Sequence, residues 1–152
     1  MKYSIQQISA EETYLVRLPV LRPGKPLESC VFDGDTLKTT IHIGLFSKEK
    51  LLGVCSFFKT SNPLFAVKSQ YQLRGMAVLK AHQQHGLGTM LLAHGENLLK
   101  KSHANMVWCN ARETAIGFYK KNGYTTQGKP FNIPGVGIHY AMHKTLKTFT
   151  LK

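Results

Sequence analysis

The sequence predicts a mixed α/β domain, a mostly antiparallel central sheet flanked by helices. Three observations predict it. Short apolar runs of strand length alternate with helical stretches in the order β-α-β-β-β-α-β-α-β-β. One junction, Met76 to Leu92, reads strand, polar turn, then amphipathic helix. The chain has 152 residues, enough for one domain, residues 1–152, with a real core.

Tyr3 to Ile8 reads as the first strand. Ser9-Ala10-Glu11-Glu12 is a capping box, so a helix should run from Ala10 to Leu21, with Pro19 ending or kinking it early. Leu21 to Pro26 is loop by composition, and Asp33-Gly34-Asp35 reads as a turn. Thr39–Phe46 and Leu51–Lys59 form a hairpin around Ser47–Lys50. Gln70–Val78 is a strand leading into a polar turn, Leu79 to His85, that carries no acid. Gly86-Leu87-Gly88 then opens a helix. Leu91, Leu92, Gly95, Leu98 and Leu99 fall on one face of it, and Glu96, Asn97, Lys100 and Lys101 fall elsewhere. Met106–Asn110 is a strand. Thr114–Asn122 is a helix stopped by Gly123 at C′ with Tyr124 at C″. Tyr124–Lys129 is a strand, Phe131–Gly137 a Pro/Gly loop, and Ile138–Lys144 the last strand, with Ile138, Tyr140 and Met142 on one face and His139, Ala141 and His143 on the other.

Composition excludes several classes. No run of about 18 apolar residues exists, so no membrane span is expected. The first residues lack the apolar core of a signal peptide, which predicts a cytoplasmic protein. Cys30, Cys55 and Cys109 are odd in number and far apart, which fits neither a disulfide framework nor a zinc site, and no metal is expected. The net charge of +12 favours anionic partners. Its lysines and arginines are scattered, with no aromatic interleaving, so nucleic acid is not an expected partner.

The turn after Val78 suits a pyrophosphate. The first turn of a helix has unpaired N–H groups and partial positive charge, and glycines let a phosphate approach the backbone. A P-loop fails because no lysine follows the second glycine. A dinucleotide fingerprint fails because position 91 is Leu and the next strand ends in Trp108-Cys109-Asn110, without the acidic residue the motif needs. An ordinary glycine-rich β-α turn is the bland alternative. Gln83-Gln84-His85-Gly86-Leu87-Gly88 resembles the acetyl-CoA loop of the GNAT N-acetyltransferases, Gln/Arg-x-x-Gly-x-Gly/Ala, at every fixed position. A second block is similar to the family's A-x-x-F-Y-x-K-x-G-F/Y: Ala115, Phe118, Tyr119, Lys121, Gly123 and Tyr124 match. Leu21-Arg22-Pro23-Gly24, Asp35 with His42-x-Gly44, Leu73–Val78 and Gly137-Ile138-His139-x-x-Met142 resemble a small bacterial, single-domain subgroup.

The resemblance implies transfer of an acetyl group from acetyl-CoA to a primary amine of a small molecule or protein, by direct attack in a ternary complex. It implies a sheet splayed at the acetyl-CoA site, with the backbone of Met76, Ala77 and Val78 pairing with the pantetheine arm. The N–H groups of Gln84, His85, Gly86, Leu87, Gly88 and Thr89, after Gln83, would hold the pyrophosphate. Tyr119 occupies the general-acid position; a phenol with pKa about 10 is protonated at neutral pH and can donate to the leaving thiolate. Its bland alternative is a packed helix aromatic. The strand Glu that serves many members as base is absent from Gln70–Val78, which leaves His42 and His139 as candidates, against structural roles for both. Arg112 replaces the family's frequent Asn, and Asn110 could take over its pantetheine contact. Lys121 is a candidate for the 3′-phosphate and Arg22 for an acidic group on the acceptor. The family often forms homodimers. A non-catalytic CoA- or acyl-CoA-binding module of the same fold is the competing expectation.

Overall fold

The computed structural model describes residues 2–147. Seven strands form one sheet: β1 (Tyr3–Gln7), β2 (Ile41–Ser47), β3 (Lys50–Phe58), β4 (Gln70–Val78), β5 (Met106–Arg112), β6 (Thr125–Ile133) and β7 (Gly137–Thr145). Their order is β1-β2-β3-β4-β5-β7-β6. Helices α1 (Ala10–Leu21), α2 (Leu87–Lys101) and α3 (Ile116–Lys121) complete the fold, with short 3-10 turns at Leu27–Cys30, Lys80–His82 and Glu113–Ala115. The chain divides into two compact units, Met1–Phe58 with Leu73–Gly95, and Lys59–Gln72 with Glu96–Lys152.

In the first unit the capping box is formed as expected: Glu12 N–H donates to Ser9 Oγ and Ser9 N–H to Glu12 Oε1. Pro19 neither ends α1 nor shortens it. The carbonyl it orphans belongs to Leu15, a position 69% exposed where water can serve, and Arg22 N–H closes the end on Arg17 O and Leu18 O. Val16 of α1, Val54 of β3 and Ala77 of β4 form a core, with Ile8, Val20, Leu21, Leu51 and Leu79 against it. Gly95 of α2 lies so close to the Phe57 ring of β3 that a Cβ there would overlap it.

In the second unit, β4 pairs with β5 in parallel through Gln70↔Met106, Tyr71↔Val107 and Gln72↔Trp108, and that register covers only the first three residues of β4. Gln70 organises the preceding loop: Nε2 donates to Phe65 O and Val67 O, and Oε1 accepts from Asn62 N–H. The second helix of the sequence reading is split into a 3-10 turn and α3. Its end is as expected: Tyr124 N–H donates to Tyr119 O and Gly123 N–H to Lys120 O, both bonds of a Schellman motif. One expectation fails here. β6 does not stop at Lys129 but runs through Pro130 to Ile133. It is the edge strand, its register with β7 shifts between Gln127 and Phe131, and a proline without an N–H is tolerated at such a bulge. No helix among the described residues is long and apolar enough to cross a membrane.

Glu96 is a further point of interest. The helical pattern of α2 put it off the apolar face, yet it is only 5% exposed. Tyr124 Oη donates to its Oε2 at 2.8 Å and Lys144 Nζ to its Oε1 at 2.7 Å, so burial is compensated by a charge and a hydroxyl. The remaining predicted face is buried at Leu91, Leu92, Gly95 and Leu99 and half-buried at Leu98.

Candidate active site

The polar turn lies wholly in the first unit. Gln83, Gln84, His85 and Gly86 are exposed, and α2 begins at the buried Leu87. Gln84 has φ 65° and Gly86 φ 77°, two left-handed positions on either side of His85 that turn the chain between β4 and the helix. A Cβ on Gly86 would meet nothing within 4 Å, so the turn is open on that side. Gln83 Nε2 donates to Val78 O at 2.9 Å and braces the turn against the strand end. The first helical bond closes from Met90 N–H to Gly86 O, which leaves the N–H groups of Leu87, Gly88 and Thr89 outside the ladder. With no acid in the turn, these donors, the helix dipole, and His82 and His85 alongside suit a phosphate. Upstream, Ala77 is buried while Met76 and Val78 are half-buried.

His42 also lies in the first unit, inside a buried polar cluster. Its Nε2 sits 2.8 Å from Asp35 O and its Nδ1 2.6 Å from Ser56 Oγ. A carbonyl only accepts, so Nε2 carries the proton and Nδ1 accepts from the Ser56 hydroxyl. Ser56 Oγ accepts in turn from Arg17 Nη2 at 3.0 Å. Arg17 is fully buried; its Nη1 and Nη2 grip Asp35 Oδ2 and Oδ1 at 2.7 and 3.1 Å, and Nη1 also donates to Cys30 O. Both ring nitrogens are therefore engaged within the buried cluster, an arrangement that matches the structural role the sequence also left open for His42.

Arg22 is half-buried. Its Nε and Nη1 donate to Ser29 O and Leu21 O, so two of its three nitrogens hold the loop that follows α1.

The other expected residues lie in the second unit. Tyr119 of α3 is buried, with its ring edge-on to Tyr124 at 5.6 Å and to Phe118 at 5.1 Å. His139 of β7 is 5% exposed, in register with Arg112 of β5 and Phe131 of β6, and stacked on the Phe131 ring. Its Nδ1 donates to Gly137 O at 2.8 Å, which leaves Nε2 as the nitrogen with the lone pair. Asn110 of β5 and Lys121 of α3 are exposed. Deep in the same unit, burial pushes the Cys109 thiol up to about 12, and burial with the Glu96 carboxylate holds the Tyr124 phenol far above its usual range.

Sequence reading missed Arg17, Ser56 and Arg74. A signal existed for Arg17: with Thr13 and Val16 it sits at helical spacing on the buried face of α1. An arginine on an apolar stripe points to a buried ion pair. Arg74, on β4 beside the buried cluster, carries no such periodic mark.

The fold, the glycine turn and the Tyr119 block define an N-acetyltransferase built on a mixed α/β sheet. More particularly, the chain belongs to the acetyltransferase (GNAT) family, whose model matches residues 6–124. It is 40% identical over 144 residues to an uncharacterised N-acetyltransferase of Bacillus subtilis (strain 168), YitI, covering 95% of this chain and 97% of that protein. In fold it is similar to the ribosomal-protein-S18-alanine N-acetyltransferase of Escherichia coli, with TM-score 0.76, 16% identity and coverage of 99% and 97%. It is similar also to an aminoglycoside 6′-N-acetyltransferase complexed with coenzyme A, with TM-score 0.75, 12% identity and coverage of 97% and 99%.

Proposed function

We propose that the chain transfers the acetyl group of acetyl-CoA to a primary amine by direct attack in a ternary complex, acting as one acetyltransferase domain in the cytoplasm. The observation that carries this reading is the Gln83–Thr89 turn: exposed from Gln83 to Gly86, opened at Gly86, free of acid and leading into the unpaired first turn of α2. The N–H groups of Gln84 to Thr89 would hold the pyrophosphate, the backbone of Met76–Val78 the pantetheine arm, and Asn110 and Lys121 the further polar contacts. Acetyl-CoA supplies an activated acyl group. The protein's own part is to bind, orient and move protons. Tyr119 donates a proton to the departing sulfur. His139 accepts the proton of the amine at Nε2, a role supported by the Nδ1–H bond to Gly137 O that fixes its tautomer.

Calorimetric titration with acetyl-CoA and CoA tests the reading. Micromolar binding is expected in the wild type and its loss in Gly86→Trp, which places bulk in the open turn at a position of positive φ. An amine panel followed by thiol detection should then show turnover, with kcat reduced about 100-fold or more in Tyr119→Phe. No binding by the wild type sinks the proposal. Binding without turnover on any amine leaves a CoA-binding module instead of an acetyltransferase.

A further inference from the structure

The first unit holds a basic cluster for which the transfer chemistry above has no use. Three guanidinium groups share one ring. Their central carbons lie 3.9 Å (Arg17), 4.5 Å (Arg74) and 5.7 Å (Arg22) from the Phe32 centroid, and Arg74 also lies 5.5 Å from that of Phe58. Their polar partners differ. Arg17 is consumed by Asp35, Cys30 O and Ser56. Arg22 is two-thirds consumed by backbone carbonyls. Arg74 has neither hydrogen bond nor ion pair among the described residues, although it is half-buried. The acids within electrostatic reach do not remedy this. Asp35 is already gripped twice by Arg17, and Asp33 is exposed on the turn before it. Burial and the Arg17 charge accordingly depress the pKa of Arg74.

The surroundings are built to hold it there. Gly75 has φ 69°, and a Cβ on it would lie 3.1 Å from both Arg17 Nε and Phe32 Cε2. β4 can therefore pass the cluster only with glycine next to Arg74. Arg17 Nε, buried against this glycine, has no partner of its own. Stacking on two rings recovers part of the cost of desolvating a guanidinium, and its five donors, none of them fully buried, are left without a protein acceptor among the described residues. Arg74 stands two residues before Met76–Val78 on the same strand.

We propose that Arg74, with the free Nη2 of Arg22 beside it on Phe32, is the subsite for an anionic oxygen group on the acceptor, so that the acceptor is a small amine carrying a carboxylate or phosphate. This rests on the acetyltransferase reading and names its substrate class. A planar guanidinium takes either group through paired N–H donors, whereas a polyamine or aminoglycoside would be repelled by it.

Matched amines test it, on the full chain saturated with CoA: β-alanine, 2-aminoethyl phosphate, the neutral 3-aminopropanamide and 1,3-diaminopropane. Thermal shift reads binding, and kcat/KM with acetyl-CoA reads selection. At least one anionic amine should raise Tm and exceed the amide in kcat/KM by about 10-fold or more, the worth of a charged hydrogen bond. The carboxylate and phosphate arms decide which group the site takes. In Arg74→Gln, whose stem still lies on the rings, both effects should collapse to within about 2-fold of the amide. Arg74→Lys should restore part of them. Equal use of the amide or diamine by the wild type, no Tm shift with either anionic amine, or selection that survives Arg74→Gln each overturns the subsite while leaving the acetyltransferase intact. Absence of acetyl-CoA binding overturns both.

Discussion

Each unit buries one charged cluster against aromatic rings, and the two balance their charges differently. In the second unit Glu96 receives Lys144 Nζ on one oxygen and Tyr124 Oη on the other, and Lys144 also donates to Asn122 O. One negative and one positive charge meet, and the Lys144 side chain keeps 30% of its surface in water for its remaining donor. In the first unit Arg17 and Asp35 neutralise each other in full burial, and Ser56 and His42 complete the hydrogen bonds. Two more guanidiniums are then stacked on the same Phe32, and neither forms an ion pair among the described residues. The closed cluster ties a helix to a strand and a helix end. The open one carries surplus cation, which is what a site for an anion needs and what a purely structural cluster avoids.

The largest expected effect breaks the first cluster at its neutral pair. Arg17→Met leaves Asp35 buried with the Phe32 N–H hydrogen bond on its carboxylate and His42 Nε2 no nearer than 4.0 Å, and should cost about 3–5 kcal/mol in urea unfolding. In the second unit Lys144→Met should cost less, about 1–2 kcal/mol, because the Tyr124 hydroxyl still serves Glu96 and the lysine was part-exposed. Equal losses would erase the distinction between a fully desolvated pair and a part-solvated one. A loss below about 1 kcal/mol in Arg17→Met would show that Asp35 finds other partners.

The same two clusters mark where the sequence was legible. The capping box at Ser9, the Schellman end at Gly123 and the bounds of β4 depend on residues within a turn of one another, and each was readable as such. So was the glycine turn, whose pattern is six residues long, and Tyr119 with its neighbours. The clusters are assembled over longer range. Arg17 reaches Asp35 across 18 residues and Ser56 across 39, and Glu96 reaches Tyr124 across 28 and Lys144 across 48. Helical periodicity alone put Glu96 off the apolar face and could not show its burial, because it holds no record of a lysine on a distant strand. The sequence likewise left His42 open between base and structural roles, since the engagement of both ring nitrogens depends on Asp35 and Ser56 arriving together. β6 escaped for a different reason. Proline is a reliable break inside a sheet, and only its place at a bulged edge makes Pro130 acceptable.

The smallest effect concerns how firmly the second unit excludes charge. The Cys109 thiol is held at about 12 by burial alone, against about 8.5 in an unfolded chain. A raised folded pKa means that the native state keeps the proton longer than the unfolded one. The corresponding stability is complete below pH about 8.5 and is lost as pH rises from there towards the folded value. A single such group should cost about 0.8 kcal/mol by pH 9.0 and steepen further above it. Tyr124, raised by burial and by Glu96, adds a loss of the same sign only above pH about 10. Unfolding free energy measured from pH 7.5 to 9.5 should therefore slope downward in the wild type and less so in Cys109→Ala, whatever constant cost the lost sulfur adds. Parallel slopes would mean that the thiol ionises where it sits, and that water reaches the interior beside the closed cluster.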